Sequence, residues 1–597
     1  MAERNTYKQD ERLDEPFNFK HLLRASVYIK KYAGKMIFAL IISACGGAIG
    51  LLAPMINQRA LDDAIPNSDI KYLIELAAFL VGTVIVSVIL TTIRSRIMIK
   101  VSQGIIYDIR KDLFAHLQKL SFQYYDDRPH GKILIRVVNY VNSVSDMLSN
   151  GLINVILEIF NLIFIIVFMF MVDVQLSLVV LCGVPVLAVF MLWIKNKQRK
   201  AWQNVSNKNS NLNAYLQENI VGARITQIFA REDYNAEVFA DLSADCRNTW
   251  MTAVRYNNLV WPGIDTISVF VRAAIFVFGM LIFSTAEGGA KSVGVIVAIS
   301  GYASRFWQPI MNLGNIFNTF INNIAYLERI FQTLDEPVTV DDAPGAIKMP
   351  EIKGEVEFEH VDFSYEEGKP VLKNVSFTVQ PGQSVALVGP TGAGKSTIVS
   401  LISRFYNVNG GRVLIDGQDI SQVTLHSLRS QMGIMLQDSF IFSGTIEDNI
   451  RYGKLDATMD EIREASRIVC ADGFISAMEN GYQSEVRERG TTLSQGQKQL
   501  ISFARTLISD PKILVLDEAT SSIDVQTERA LQTGLNNMMK GRTTFIIAHR
   551  LSTIKNCDVI MYIDDGGIVE AGTHEQLLAK HGQYYHLYTA QMDEKGA

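Results

Sequence analysis

The chain has 597 residues, 48% apolar and 20% charged, and its 56 Lys+Arg against 61 Asp+Glu leave a formal charge of −5. Such a length suits several domain-sized units, and the apolar content excludes a disordered chain. The mild acidity excludes a general basic surface for nucleic acid, and the five cysteines, without any CxxC spacing, argue against a zinc site or a disulfide framework.

Residues 1–35 are dense in charge and show no secretory signal. Within them Phe17, Phe19, Leu22, Leu23, Val27 and Ile29 alternate with Lys20, Arg24, Lys30 and Lys31, as in a helix lying at a membrane interface. Residues 36–58 contain no charge and are long enough to cross a ~30 Å hydrocarbon core. Further spans are expected at 72–93, 152–172, 174–194, 262–284 and 292–317, the third and fourth separated only around Asp173. Lys and Arg crowd the second-to-third connection (Arg94, Arg96, Lys100, Arg110, Lys111) and the fourth-to-fifth (Lys195, Lys197, Arg199, Lys200). The positive-inside rule then places both connections and both termini in the cytoplasm. Those connections keep helical periodicity, so the spanning helices are expected to continue out of the bilayer.

Glu158, Asp265, Arg272 and Arg305 interrupt the spans. A charge at mid-bilayer costs about 2.5–3.5 kcal/mol on insertion scales, so such residues face a bundle interior or an aqueous cavity. Glu158 and Trp307 are the candidate substrate-cavity residues. Phe306, Trp307 and the Asn312, Asn315 and Asn318 series suit a small amphipathic substrate, cationic ones included.

Residues 36–330 thus read as a membrane domain, 331–353 as an acidic, proline-containing linker, and 354–597 as a soluble α/β domain. Alternation at Val356, Phe358, Val375, Phe377 and Val379 marks strands, and later strands are followed by helices. Gly389, Pro390, Thr391, Gly392, Ala393, Gly394, Lys395, Ser396 and Thr397 complete GxxxxGK[ST] between an apolar strand and a helix. Its glycines let loop amides cradle phosphates, Lys395 reaches the β/γ-phosphates of ATP, and the Ser396 hydroxyl suits Mg²⁺. A buried strand ends in Asp517 and Glu518; Asp517 would hold Mg²⁺ and Glu518 would polarise the attacking water. Ser494, Gln495, Gly496 and Gln497 open another helix and form a second phosphate cradle. One nucleotide has no use for two cradles of one domain, so two domains facing head to tail is the economical arrangement.

Together these motifs resemble the ATP-binding cassette (ABC) superfamily. Six spans before one cassette are similar to its exporter half-transporters, multidrug exporters among them. The resemblance implies a membrane α-helical domain, six helices extending into the cytoplasm, fused to an α/β P-loop ATP-binding cassette domain. It also implies ATP hydrolysis coupled to export by alternating access, by a dimer; the short external loops and the lack of a visible targeting segment favour a bacterial plasma membrane. By resemblance, Tyr365 stacks on adenine, Gln437 is the Q-loop residue contacting metal and water, Asp524 belongs to the D-loop, and His549 contacts the γ-phosphate. Residues 138–146 and 225–232 match the helices that couple the two domains, and Ser484–Gly490 resembles the exporter-specific loop beside them.

One position departs from the family pattern. The signature reads LSGGQ in the family, and here its third residue is Gln495. Glu518 and His549 are kept, as in the hydrolytic half of heterodimeric bacterial exporters, whose partner carries the intact signature. A heterodimer with a second half-transporter is therefore expected. A homodimeric lipid or peptide exporter is the alternative, and an ATP-gated channel is a further one that intact Glu518 and His549 disfavour.

Overall fold

The computed structural model describes residues 20–126, 128, 130–284, 292–366, 368–435, 439–487, 490, 492–517, 525–548 and 551–596. The chain separates into a helical unit, Met1–Leu117 with His130–Asp335, and an α/β unit, Gln118–Pro129 with Glu336–Ala597.

In the helical unit α1 is Lys20–Lys30, α2 Ala33–Gly50, α3 Ile70–Leu117, α4 Leu152–Val172, α5 Gly183–Val221, α6 Glu232–Asn258, α7 Val260–Ser284 and α8 Val293–Leu334. Among the described residues five helical runs are long and apolar enough to cross a membrane: Ala33–Ala64, Ile70–Leu117, Gly131–Val172, Val174–Val221 and Glu232–Met280. The sixth expected span falls on α8, a continuous helix of 42 residues. Arg305, Gln308 and Asn312 punctuate it, which makes it less apolar than the other five. At 48 and 39 residues, α3 and α5 far exceed the ~20 that a bilayer requires, so they run on beyond it.

Local chemistry sets the breaks. Pro54 sits in the first turn of the helix Ala53–Arg59, where its missing N–H is harmless, and α2 stops just before it. Asp173 is extended (φ −160°, ψ 121°), ends α4, and caps the helix Val174–Leu181 by accepting the Leu176 amide at 2.9 Å. α2 packs on α3, α4 on α8, and α5 on α6. Tyr302, Phe306, Trp307 and Met311 of α8 interlock with Ile165, Leu187 and Ile275. The outward faces stay apolar: Val189 and Phe270 are 70% and 71% exposed, as lipid contact demands.

In the α/β unit the strands are β1 Val356–Phe363, β2 Leu372–Val379, β3 Ser384–Val388, β4 Gly410–Ile415, β5 Met432–Met435, β6 Ile513–Asp517, β7 Thr543–Ile547, β8 Val559–Asp564 and β9 Gly567–Gly572. Six form one sheet in the order β9-β8-β3-β7-β6-β5, parallel except for β9 at its edge. β3 and β7 are buried at every position, the mark of strands covered on both faces. The other main sheet runs β2-β1-β4, with the short strand Gln418–Asp419 outside it. Helix α9, Lys395–Ile402, lies in the core shared by the two sheets, through Ile398, Leu401 and Ile402. Helix α10, Gln495–Leu507, buries Leu500, Phe503 and Ala504 in a second core with Leu514 and Ile546.

The α/β unit also takes in a segment from the second-to-third connection, the short helix Phe122–Asp126. Phe122 lies 4.3 Å from Phe405 between ring centroids, and the Tyr406 hydroxyl donates to Asp126 at 2.8 Å. In the expected stretch 138–146, Val141 and Val144 are fully buried within the helical unit, while Val138, Asn139, Asn142 and Asp146 are exposed. Near the other expected position the helix Ala223–Ile228 leaves Ile225, Ile228 and Phe229 largely exposed.

Candidate functional site

Strand β3 lies between β8 and β7 near the middle of the sheet, and the loop 389–394 leaves from its carboxyl end. Gly389 has φ +140°, and a Cβ there would stand 2.1 Å from the Ile563 carbonyl oxygen, so only glycine fits. Gly394, at φ +107°, is the N-cap of α9, while the concave side at Gly392 is open, with nothing within 4 Å of a Cβ. The loop is therefore a cradle whose inner wall is backbone, at the positive end of a helix.

Lys395 is 8% exposed, and its ammonium donates to the carbonyls of Gly389 at 2.9 Å and Pro390 at 2.7 Å. Burial pushes its pKa down, and the nearby Asp517 carboxylate pulls it back up. The cation is thus held over the loop's mouth by weak acceptors that phosphate oxygens can replace. Ser396 keeps an exposed hydroxyl at the start of α9, whereas Thr397 turns inward and shares a 3.1 Å hydrogen bond with the Tyr365 hydroxyl.

Asp517 ends β6. Its register across β7 matches Ile547, which in turn matches Leu387 of β3. Two strand spacings, about 10 Å, separate the backbones of β6 and β3, so Asp517 stands across from the loop's start. Parallel strands β5, β6 and β7 end at Met435, Asp517 and Ile547 on the edge from which the loop departs. Gln437, Glu518, Asp524 and His549 lie outside the described residues.

Tyr365 is 38% exposed, and its ring is braced edge-on by Phe363 at 4.8 Å and Tyr406 at 5.1 Å. Burial raises its pKa, so the phenol stays neutral. The Gln123 side-chain amide donates to the Tyr365 carbonyl at 3.5 Å, which ties the helix Phe122–Asp126 to this ring. Sequence reasoning missed that link. The available signal was the cluster Phe122, Tyr124, Tyr125 and Asp126, an aromatic and acidic interruption in an otherwise basic connection.

At the start of α10, Ser494 accepts the Gln497 amide at 3.3 Å, and the Gln497 side chain accepts the Ser494 amide at 2.9 Å. This capping box locks the helix start. Ser494 and Gln495 are exposed, and Gly496 is buried. Among the described residues no hydrogen bond or ion pair joins this helix start to the loop 389–394.

The helical unit holds a cavity of about 610 Å³ between α2, α3, α4 and α8. Glu158 lines it and accepts a 2.7 Å hydrogen bond from the Asn312 amide. Arg305 lines it too, donating to the Gly50 carbonyl at 2.7 Å. Trp307 does not line it: 3% exposed, it packs into the apolar core against Gly183. Helical geometry gives the reason. Arg305, Gln308 and Asn312 form one stripe at spacings of three and four, and Trp307 points more than a third of a turn away.

Residues 36–310 match the model of the ABC transporter transmembrane region, and 372–521 the ABC transporter model. YknV of Bacillus subtilis, an uncharacterized ABC transporter ATP-binding protein, is 40% identical over 99% of this chain and 98% of its own. YgaD of the same organism, named as a candidate multidrug export ATP-binding/permease protein, is 36% identical over 94% of this chain and 98% of its own. A bacterial Atm1-family ABC exporter solved with ATP bound superposes with a TM-score of 0.77 at 28% identity, covering 94% of this chain and 98% of that one.

Proposed function

The chain belongs to the ABC transporter family, and on that premise we propose that it is the hydrolytic half of a heterodimeric exporter of amphipathic compounds. ABC exporters act as dimers in the lipid bilayer, and this chain couples ATP hydrolysis to export. The bacterial relatives and the Lys/Arg-rich connections support a bacterial plasma membrane with both termini in the cytoplasm.

The signature helix start supports a dimer, and Gln495 within it supports an unlike partner. Its Ser494 is exposed and unengaged with the phosphate loop of its own chain, so a second chain's nucleotide is its natural ligand. Gln495 adds a side chain beside it where the family has glycine. A second chain with an unaltered signature would complete the ATP site built on Lys395 and Glu518. Purified alone in lipid, the chain should hydrolyse ATP slowly; vigorous hydrolysis stimulated by an amphipathic drug would remove the heterodimer.

In the proposed cycle, ATP sandwiched between two cassettes favours their closure, and its preference for the closed state tilts the membrane halves outward. Ser396 and Asp517 offer hard oxygen donors suited to Mg²⁺, with Gln437 as a third. Bound there, the ion would neutralise phosphate charge. Lys395 orients the β/γ-phosphates, Glu518 takes a proton from the attacking water, and His549 and Asp524 hold the γ-phosphate region across the interface. Tyr365 supplies the platform for adenine. Tyr365→Ala should weaken ATP binding about tenfold, the scale of one lost stacking contact, while Tyr365→Phe stays close to wild type. Titration with a fluorescent ATP analogue checks both, and an unchanged affinity in Tyr365→Ala would place the base elsewhere.

A further inference from the structure

The cavity in the helical unit is defined by its charged groups: Arg94, Glu158 and Arg305, with the amides of Asn161, Gln308 and Asn312 around them. Two guanidiniums and one carboxylate leave an excess positive charge. Glu158 is engaged by Asn312, and no ion pair joins it to either arginine among the described residues. Arg305 is anchored on the Gly50 carbonyl, which the break after α2 leaves without a helical partner, and its remaining N–H groups stay available.

Arg94 differs from its neighbours. Its Nε is buried without a hydrogen-bond partner, and no ion pair or hydrogen bond holds the rest of its head among the described residues. A guanidinium at the edge of a bilayer normally finds a carboxylate or carbonyl, because an unpaired buried cation is costly. Here the planar fork is left facing a cavity of 610 Å³, within the range of sites for drug-sized molecules. Apolar walls from Ile42, Leu90, Leu157 and Ile165 border the same space.

We propose that this cavity recognises amphipathic organic anions, with a ligand carboxylate seated on Arg94 and Arg305 and the apolar body along those walls. The fork geometry of arginine matches a carboxylate in a bidentate way that a lysine would not. Glu158 then serves as a selectivity element, repelling an anion placed on the wrong side and accepting an N–H or O–H from one placed correctly. The inference deepens the exporter reading, which it needs only for the direction in which the ligand moves. It also reverses the sequence-based leaning toward cationic compounds.

The test uses the full chain in lipid nanodiscs, with carboxyfluorescein as the anionic probe and ethidium as the cationic one. Fluorescence anisotropy should show saturable carboxyfluorescein binding. Arg94→Gln should weaken it about tenfold or more, the scale of a lost charged hydrogen bond. Arg305→Gln should weaken it as well, and Arg94→Lys should restore part of the loss. Thermal unfolding, compared with the wild type in the same nanodiscs, separates lost binding from lost folding in all three. Absence of saturable carboxyfluorescein binding, wild-type affinity in both glutamine variants, or preferential binding of ethidium overturns the inference. Binding that follows these expectations without ATP-driven uptake of the probe into inside-out vesicles holding the chain together with its partner half would sink the exporter reading and leave the anion site standing.

Discussion

Lys395→Ala is expected to lower ATP affinity about a hundredfold or more and to bring hydrolysis to background. The ammonium makes two hydrogen bonds to loop carbonyls in this conformation, at 2.9 and 2.7 Å. Each bond from a charged donor is worth about 1.5–3 kcal/mol net, and anionic phosphate oxygens are stronger acceptors than the carbonyls they displace. A hundredfold corresponds to about 2.7 kcal/mol, so losing the two bonds is enough. The fold should survive, because the truncation removes a cation whose burial is itself unfavourable, as its lowered pKa records. Nucleotide titration separates the possibilities, with thermal unfolding in the absence of nucleotide as the control. A variant that unfolds as the wild type does and still binds ATP normally would place the phosphate cradle away from residues 389–397.

How much of this was legible depended on how local each determinant is. Gly389 and Gly394 are required first by their own backbone angles, φ +140° and +107°, and that much of the loop's shape is written in its own nine positions; the atoms that also exclude a Cβ there, from Ile563 and Leu372, are distant in sequence. The capping box of Ser494 and Gln497 is equally local. Spans declare themselves through apolar length, α8 the least clearly, because its polar stripe belongs to a cavity that the sequence does not outline. Two features needed tertiary information. The helix Phe122–Asp126 is seated by Phe405 and Tyr406, the latter 280 positions from Asp126. Composition alone does not single it out. Trp307 was an attractive cavity residue because an aromatic beside polar neighbours suits a ligand. Which of Trp307 and Gln308 faces the void is decided by the helix phase relative to α2 and α4, and that phase puts the tryptophan in the core.

The family likeness and the sheet support the second large effect, on Glu518. Strand β6 carries Ile513, Leu514, Val515 and Leu516 fully buried and delivers Asp517 to the edge where the phosphate loop begins. Glu518 is the next residue in sequence, and the role proposed for its carboxylate is to take a proton from the attacking water. Glu518→Gln keeps the size and the hydrogen-bonding reach of the side chain but cannot take a proton. Hydrolysis should fall about 10²–10³-fold, the scale of a lost general base, while ATP binding stays within a few-fold. The variant should then hold intact ATP through gel filtration in the presence of its partner half. Asp517→Asn separates the neighbouring role: its hydrolysis should recover in part as Mg²⁺ is raised, because it loses a metal donor and keeps the base. Near wild-type turnover by Glu518→Gln, measured by phosphate release, would mean that another group activates the water and that the hydrolytic site of this exporter is supplied by the partner.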